Sequence, residues 1–365
     1  MRNMKKQLIL AINPGSTSTK IAIFQGEEKI LSQSISHNPE ELAPFPRIID
    51  QHRFREKVIL DFLKKNDVDV RRLAAVVGRG GLLGPMASGT YRVNGEMAEY
   101  LKHTRTEHAS NLGALLASDI AKEVGVEAYI VDPVTVDEMI DLARVTGRPE
   151  IPRISIFHAL NQKAAARLAA RQLGKPYAAC RLIVAHLGGG ISVGAHVDGK
   201  VIDVNNALNG DGPFAPERAG SLPAWSLVEL ATSGKYDPPA LKKMITGQGG
   251  IVAHLQVNDM RKVEEMVKAG DAKAIQVFEA MAYNVAKEIG KLATVMEGRI
   301  DAIVMTGGIA YDAHFIQLVR QRVEFLAPLI ILPGEDEMAA LAQGALRVLQ
   351  GEEEPKQWKT AGGNA

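Results

Sequence analysis

The 365-residue chain has a single cysteine, Cys180, so an intramolecular disulfide framework is excluded, and paired C-x-x-C ligands with it. No H-E-x-x-H spacing occurs either, which leaves no pattern for a structural or catalytic zinc site. A thiol without a partner is expected in a reducing, cytoplasmic setting, packed at a strand edge rather than reactive. Charge of one sign is also missing. Lys plus Arg number 43 against 42 for Asp plus Glu, a formal +1, so no global field draws the chain to nucleic acid or to an anionic membrane. No apolar run approaches the ~18 residues of a membrane span. The apolar stretch Leu8 to Ile12 is shorter than a secretory core and reads as a buried strand. Both common nucleotide fingerprints are absent: there is no G-x-x-x-x-G-K-[ST], and Gly78-Arg-Gly-Gly-Leu-Leu-Gly84 places its last glycine one residue too late for G-x-G-x-x-G.

What is present is an ordinary globular composition, 46% apolar and 23% charged, over a length that predicts two domains. An internal echo supports the division. Leu8-Ile-Leu-Ala-Ile-Asn-Pro-Gly leads through Ser16-Thr-Ser-Thr-Lys20 into Ile21-Ala-Ile-Phe-Gln-Gly26. About half the chain later, Leu182-Ile-Val-Ala-His-Leu-Gly-Gly-Gly190 leads into Ile191-Ser-Val-Gly-Ala-His-Val-Asp-Gly199. Each copy reads as a strand, a tight turn and a second strand. Strands at 73–77, 128–131, 300–305 and 329–332 alternate with helical periods at 55–65, 111–124, 162–173, 263–268, 272–297, 313–325 and 337–350, an α/β pattern with mixed sheets. The expected domains are 1–150 and 151–350, with the helix at 338–350 able to pack back on the first, and 351–365 a flexible tail.

Three glycine turns follow apolar strands: Asn13 to Lys20, His186-Leu-Gly-Gly-Gly190 and Thr306-Gly-Gly308. Turns without side-chain bulk expose consecutive backbone N–H groups that can hold phosphate oxygens. Arg79, Asp132, His158 and Arg218 stand at or near strand ends, where charged groups line clefts. Taken singly, Arg79 reads equally as a surface turn, His158 as a packing residue at a helix start, and Asp132 as a cap before Pro133.

Five strings together are specific: Asn13 to Lys20, Ser155-Ile-Phe-His158-Ala-Leu-Asn-Gln-Lys163, Ala185 to Gly190, Val204 to Arg218, and Met305-Thr-Gly-Gly-Ile309. They resemble the acetate kinase-like carboxylate kinases of the actin, sugar kinase and Hsp70 superfamily, and among these the butyrate branch. The resemblance implies two duplicated ribonuclease H-like domains with an active-site cleft between them, ATP or ADP and Mg²⁺ as cofactors, a short carboxylate as acceptor, and a homodimer or higher assembly. It implies that Asn13, Ser16 and Thr17 belong to the phosphate loop, that Arg79 and Arg218 are the catalytic arginines, that His158 lies near the transferring phosphoryl group and that Asp132 orients an arginine. His186 and Gly188, Gly189 and Gly190 would lie at the phosphates, Gly307 and Gly308 on the adenosine side, Asp259 and Arg261 beside adenine, and His108 near the acyl group. Glu337 with Asn13 would serve the metal, with Glu335 and Asp336 as neighbouring alternatives. One departure stands out: Gly189 occupies a position that acetate kinases fill with asparagine.

The implied reaction needs no general base, since a carboxylic acid with a pKa near that of Glu, about 4.3, is already ionised. Its difficulty is the repulsion between two anions, which arginines, Mg²⁺ and His158 would relieve. Acetate or propionate as acceptor, a non-enzymatic actin- or Hsp70-like module, and a sugar-sensing regulator of the ROK type remain alternatives, the last disfavoured by the balanced charge.

Overall fold

A computed structural model describes residues 7–104 and 107–360. The chain divides into two units, one made of residues 1–136 with 336–365 and the other of residues 137–335.

In the first unit β1 (Leu8–Pro14), β2 (Ser18–Gln25) and β3 (Glu28–Ser36) form an antiparallel meander. All seven residues of β1 are buried, as expected of a strand covered on both faces. Polar β3 is the sheet edge. β4 (Leu73–Arg79) runs parallel to β1, β5 (Thr90–Arg92) closes the other side, and β6 (Glu127–Val131) runs parallel to β4 between them. The helices Asn111–Val124 and Glu337–Gln350 cover this sheet.

In the second unit β7 (Arg181–Leu187), β8 (Ile191–Val197) and β9 (Lys200–Val204) repeat the meander, and β10 (Ala302–Gly307) and β11 (Leu329–Pro333) run parallel to β7. The order β11-β10-β7-β8-β9 matches β6-β4-β1-β2-β3, so the echo in sequence is an echo in topology. The 24-residue helix Ala272–Val295 sends Phe278, Met281, Val285, Ile289 and Leu292, all fully buried, into one core at helical spacing. Cys180 is buried beside the small residues of the helix Ala159–Gln172, and burial pushes its thiol pKa up. Among the described residues, no helix is long and apolar enough to cross a membrane.

Two expectations need correction. The boundary set at 150 falls at Val136/Asp137, because residues 137–153 are bonded into the second unit: the Ile140 amide reaches the Ile202 carbonyl at 3.0 Å, Lys163 holds Glu138 at 2.6 Å, and Arg153 holds Asp203 at 2.8 Å. The tail, expected to be flexible, makes contacts as far as Thr360. Lys356–Gln357 pairs with β5, Trp358 is buried against Tyr100 at 5.1 Å, and Thr360 Oγ1 donates to Glu96 at 2.6 Å. Residues 361–365 of that tail lie outside the described residues.

Candidate active site

The first unit gathers its polar residues at the carboxyl ends of three neighbouring parallel strands, because Ile12 pairs with Gly78 and Gly78 with Ile130. Asn13 is therefore level with Arg79, and Asp132 stands one residue beyond the strand partner of Arg79. The β1–β2 turn is held from behind. Arg55, fully buried, donates to the carbonyls of Ser18 at 2.7 Å and Ser16 at 3.1 Å, and the His37 amide donates to the Thr17 carbonyl at 2.8 Å. Three successive acceptors thus turn inward. Burial pushes the Arg55 guanidinium down to about 10. Among the described residues the Ser16 and Thr17 amides meet no acceptor, which suits a turn presenting donors to an anion.

Asn13, Ser16, Arg79, His108 and Glu337 line one concavity of about 390 Å³. Asn13 Nδ2 donates to Glu337 Oε2 at 2.6 Å, and Arg79 Nη1 pairs with Glu337 Oε1. His108 Nδ1 lies 2.6 Å from Ser110 Oγ, and burial, with the nearby Arg79 charge, holds its pKa below the usual imidazole value. Asp132 is buried in a left-handed conformation (φ 38°), and its carboxylate accepts from the Gly89 amide at 2.7 Å. It does not line the concavity. The three acidic neighbours separate cleanly: Glu335 faces His186 at 3.5 Å, Asp336 caps its helix and pairs with Lys29 at 2.6 Å, and Glu337 alone enters the concavity.

In the second unit the turn after β7 and the end of β10 meet, since Thr306 pairs with His186 and a Cβ on Gly307 (φ +91°) would stand 2.3 Å from the Leu187 carbonyl oxygen. A Cβ on Gly190 would lie 2.7 Å from Arg218 Nη1, so glycine there admits the guanidinium against the turn. Gly188 bonds Gly190 across the turn at 3.2 Å, while a Cβ on Gly189 or Gly308 would meet no close atom. Arg218 Nη1 donates to the Ala207 carbonyl, and its buried Nε has no partner among the described residues. Burial lowers its pKa, opposed by Glu217. His158 and His186 stack with ring centroids 4.0 Å apart. Asp259 caps the helix Met260–Lys268 and pairs with Arg261 at 2.7 Å; the pair is exposed, and hydrogen bonds from Arg261 hold Asp259 at about 2. The same segment is tied towards the turn by Asn258, which donates to Glu217 at 3.0 Å.

The chain is 52% identical over 352 residues to butyrate kinase 1 of Clostridium acetobutylicum, covering 96% of this chain and 99% of that protein. It is equally similar, over the same spans, to butyrate kinase 2 of that organism. The sequence profile of the Acetokinase family matches residues 152–336. The chain belongs to the acetokinase family. Among solved structures, the acetate kinase of Porphyromonas gingivalis is 19% identical with a TM-score of 0.77, covering 94% of this chain and all of that one. A propionate kinase from Francisella tularensis is 19% identical with a TM-score of 0.74, covering 93% and 98%. These two show the shared acetokinase fold.

Sequence reasoning missed several residues of this acetokinase that buttress the sites. Arg55 sits in a helix whose period marked it only as amphipathic. Asn161, 2.8 Å from His186 Nδ1, lay inside a quoted string, as did Gln162 and Lys20, the last lining the first-unit concavity.

Proposed function

We propose that the chain transfers the γ-phosphoryl group of ATP to butyrate or a branched analogue, reversibly, giving ADP and an acyl phosphate. The observation that carries this reading is identity over nearly the whole length of both chains with two butyrate kinases. The acceptor arrives ionised, so the residues have an electrostatic task and not a proton to remove. Arg79 opens onto the first-unit concavity and Arg218 is folded against a glycine turn with an unsatisfied Nε. Each can spread charge over two oxygens in one plane, as a transferring phosphoryl group requires. His108, held neutral beside Arg79, leaves the guanidinium charge to the carboxylate. Asp132 positions the strand end carrying Arg79. Asn13, Ser16, Thr17, His186, the glycines at 188–190 and at 307–308 hold phosphates, and Asp259 with Arg261 flank adenine.

Mg²⁺ keeps most of its waters and takes one or two carboxylates plus substrate phosphates. Glu337, a single half-buried carboxylate beside the Asn13 amide, fits that donor set. No three His, Cys, Asp or Glu side chains gather into a cage among the described residues. Glu337 and Asn13 would hold the ion, which supplies positive charge to the phosphate oxygens.

A panel of C2 to C5 acids, with hydroxamate trapping of the acyl phosphate, tests the reading. Strongest turnover is expected on a four-carbon acid, with partial discrimination of neighbours, since one methylene in an apolar pocket is worth about 1–3 kcal/mol. Fastest turnover on acetate would refute the butyrate assignment. ATP binding without any acyl phosphate would refute the reaction.

We also infer a homodimer formed through the second unit, in the cytoplasm. None of the nine residues of the apolar helix Ala224–Thr232 is buried, and Trp225 is 75% exposed. A patch of that kind marks an interface. Sedimentation at micromolar concentration should show a dimer; a monomer there would remove the inference.

A further inference from the structure

Behind His158 lies a closed chain of buried polar side chains, and the donor and acceptor arithmetic along it has one solution. The Ser192 carbonyl can only accept, so the atom of Gln162 facing it at 3.0 Å is the amide nitrogen, which also reaches Ser192 Oγ at 2.8 Å. Gln162 Oε1 is thereby turned to His196 Nε2 at 2.9 Å, and that nitrogen must carry a proton. His196 is fully buried, and burial followed by the charges of Lys163 and Arg167 holds its pKa well below the usual value, so it is neutral and its Nδ1 is an acceptor. Tyr177 supplies the donor at 2.8 Å. In the other direction, Ser192 Oγ accepts from Gln162, and the remaining side-chain partner of its hydroxyl is His158 Nδ1 at 2.9 Å. Gln162, Ser192 and His196 are each fully buried, so water does not offer the hydroxyl proton another place.

We propose that Tyr177, His196, Gln162 and Ser192 form a positioning relay that fixes His158 as its Nε2–H tautomer, a neutral hydrogen-bond donor to the transferring phosphoryl group. The role of the donor rests on the reaction proposed above; the tautomer does not. An Nδ1 that accepts from Ser192 leaves the His158 ring neutral, and the stack on His186 at 4.0 Å holds its plane. On this account the arginines supply the charge in the site, and His158 supplies direction.

The test is a long-range ¹H–¹⁵N spectrum of histidine-labelled full-length protein near pH 7.5. His158 and His196 should both read as Nε2–H tautomers. A wild-type His158 read as Nδ1–H, or as imidazolium, overturns the relay without any variant being made. Ser192→Ala should release His158 into a mixture of tautomers and lower kcat roughly tenfold, the scale of one hydrogen bond, with KM for ATP and for the acid unchanged. Ser192→Thr, which keeps the hydroxyl, should restore both readouts. An unchanged kcat in Ser192→Ala, with the tautomer released, overturns the positioning role. Failure of the wild type to form acyl phosphate bears on the proposed reaction alone, and the spectrum still decides the tautomer.

Discussion

Arg79→Ala is expected to lower turnover by roughly a hundredfold or more with nucleotide affinity kept, because arginines that stabilise phosphoryl transition states contribute about 10³–10⁵ in rate. The guanidinium leaves the carboxyl end of β4, where it pairs with Glu337 in the concavity that also holds Asn13 and His108. On the proposed reaction, its removal takes away a charge that matters most when the carboxylate and the phosphoryl group are forced together. It also strips Glu337 Oε1 of its cation while Oε2 stays with Asn13, so part of the loss belongs to a carboxylate held by one partner instead of two. Arg79→Lys separates the two contributions: it keeps a charge for Glu337 but loses the planar fork, and turnover should recover only in part. Steady-state kinetics with a separate measurement of ATP binding reads both quantities. Turnover like the wild type in Arg79→Ala would remove this arginine from the reaction.

The meander pairs were legible in the sequence because a strand, a glycine turn and a second strand are local, and their recurrence half a chain later announced the duplication that the two sheet orders display. Elements that depend on distant partners were not. β5 has three residues, and its pairing with Lys356–Gln357 joins segments far apart in the chain, so the contacts of the tail could not be read from its polar composition. The helices Ala224–Thr232 and Pro238–Thr246 bury none of their residues, and the apolar set Leu241, Met244 and Ile245 lines a surface concavity with Leu227 and Leu230 instead of entering a core. For the site, the glycine turns and strand-end charges carried a chemical signal, and the family strings sharpened it. What stayed hidden was support. Arg55 matters through three carbonyl and hydroxyl acceptors in the β1–β2 segment, a relation that no spacing encodes. Glu335, Asp336 and Glu337 part at a helix start, where one of three successive acids caps, one turns to a histidine and one enters the concavity, a divergence that no spacing encodes.

The position of Arg79 depends on two glycines that the chemistry never touches, and Gly113→Ala should show it. A Cβ at Gly113 would stand 2.3 Å from the carbonyl oxygen of Arg79 and 2.9 Å from its nitrogen, while a Cβ at Gly78 would stand 2.0 Å from the carbonyl oxygen of Gly113. The helix Asn111–Val124 and β4 therefore meet backbone to backbone, and no flexible side chain can move aside. Overpacking a core costs about 1–3 kcal/mol, and a rigid contact belongs at the upper end. For a unit of this size that lowers Tm by roughly 6–12 °C. Gly95→Ala is the control, since nothing lies within 4 Å of its added methyl, and it should stay within about 0.5 kcal/mol of the wild type. Below the transition, Gly113→Ala should still fold but turn over more slowly, because the displaced helix moves the backbone of Arg79 itself. Gly78→Ala strains the same contact from the other side, so the double variant should lose less than the sum of the two. Thermal melts that leave Gly113→Ala and Gly78→Ala level with Gly95→Ala would mean that helix and strand stand further apart, and that Arg79 is placed by something else.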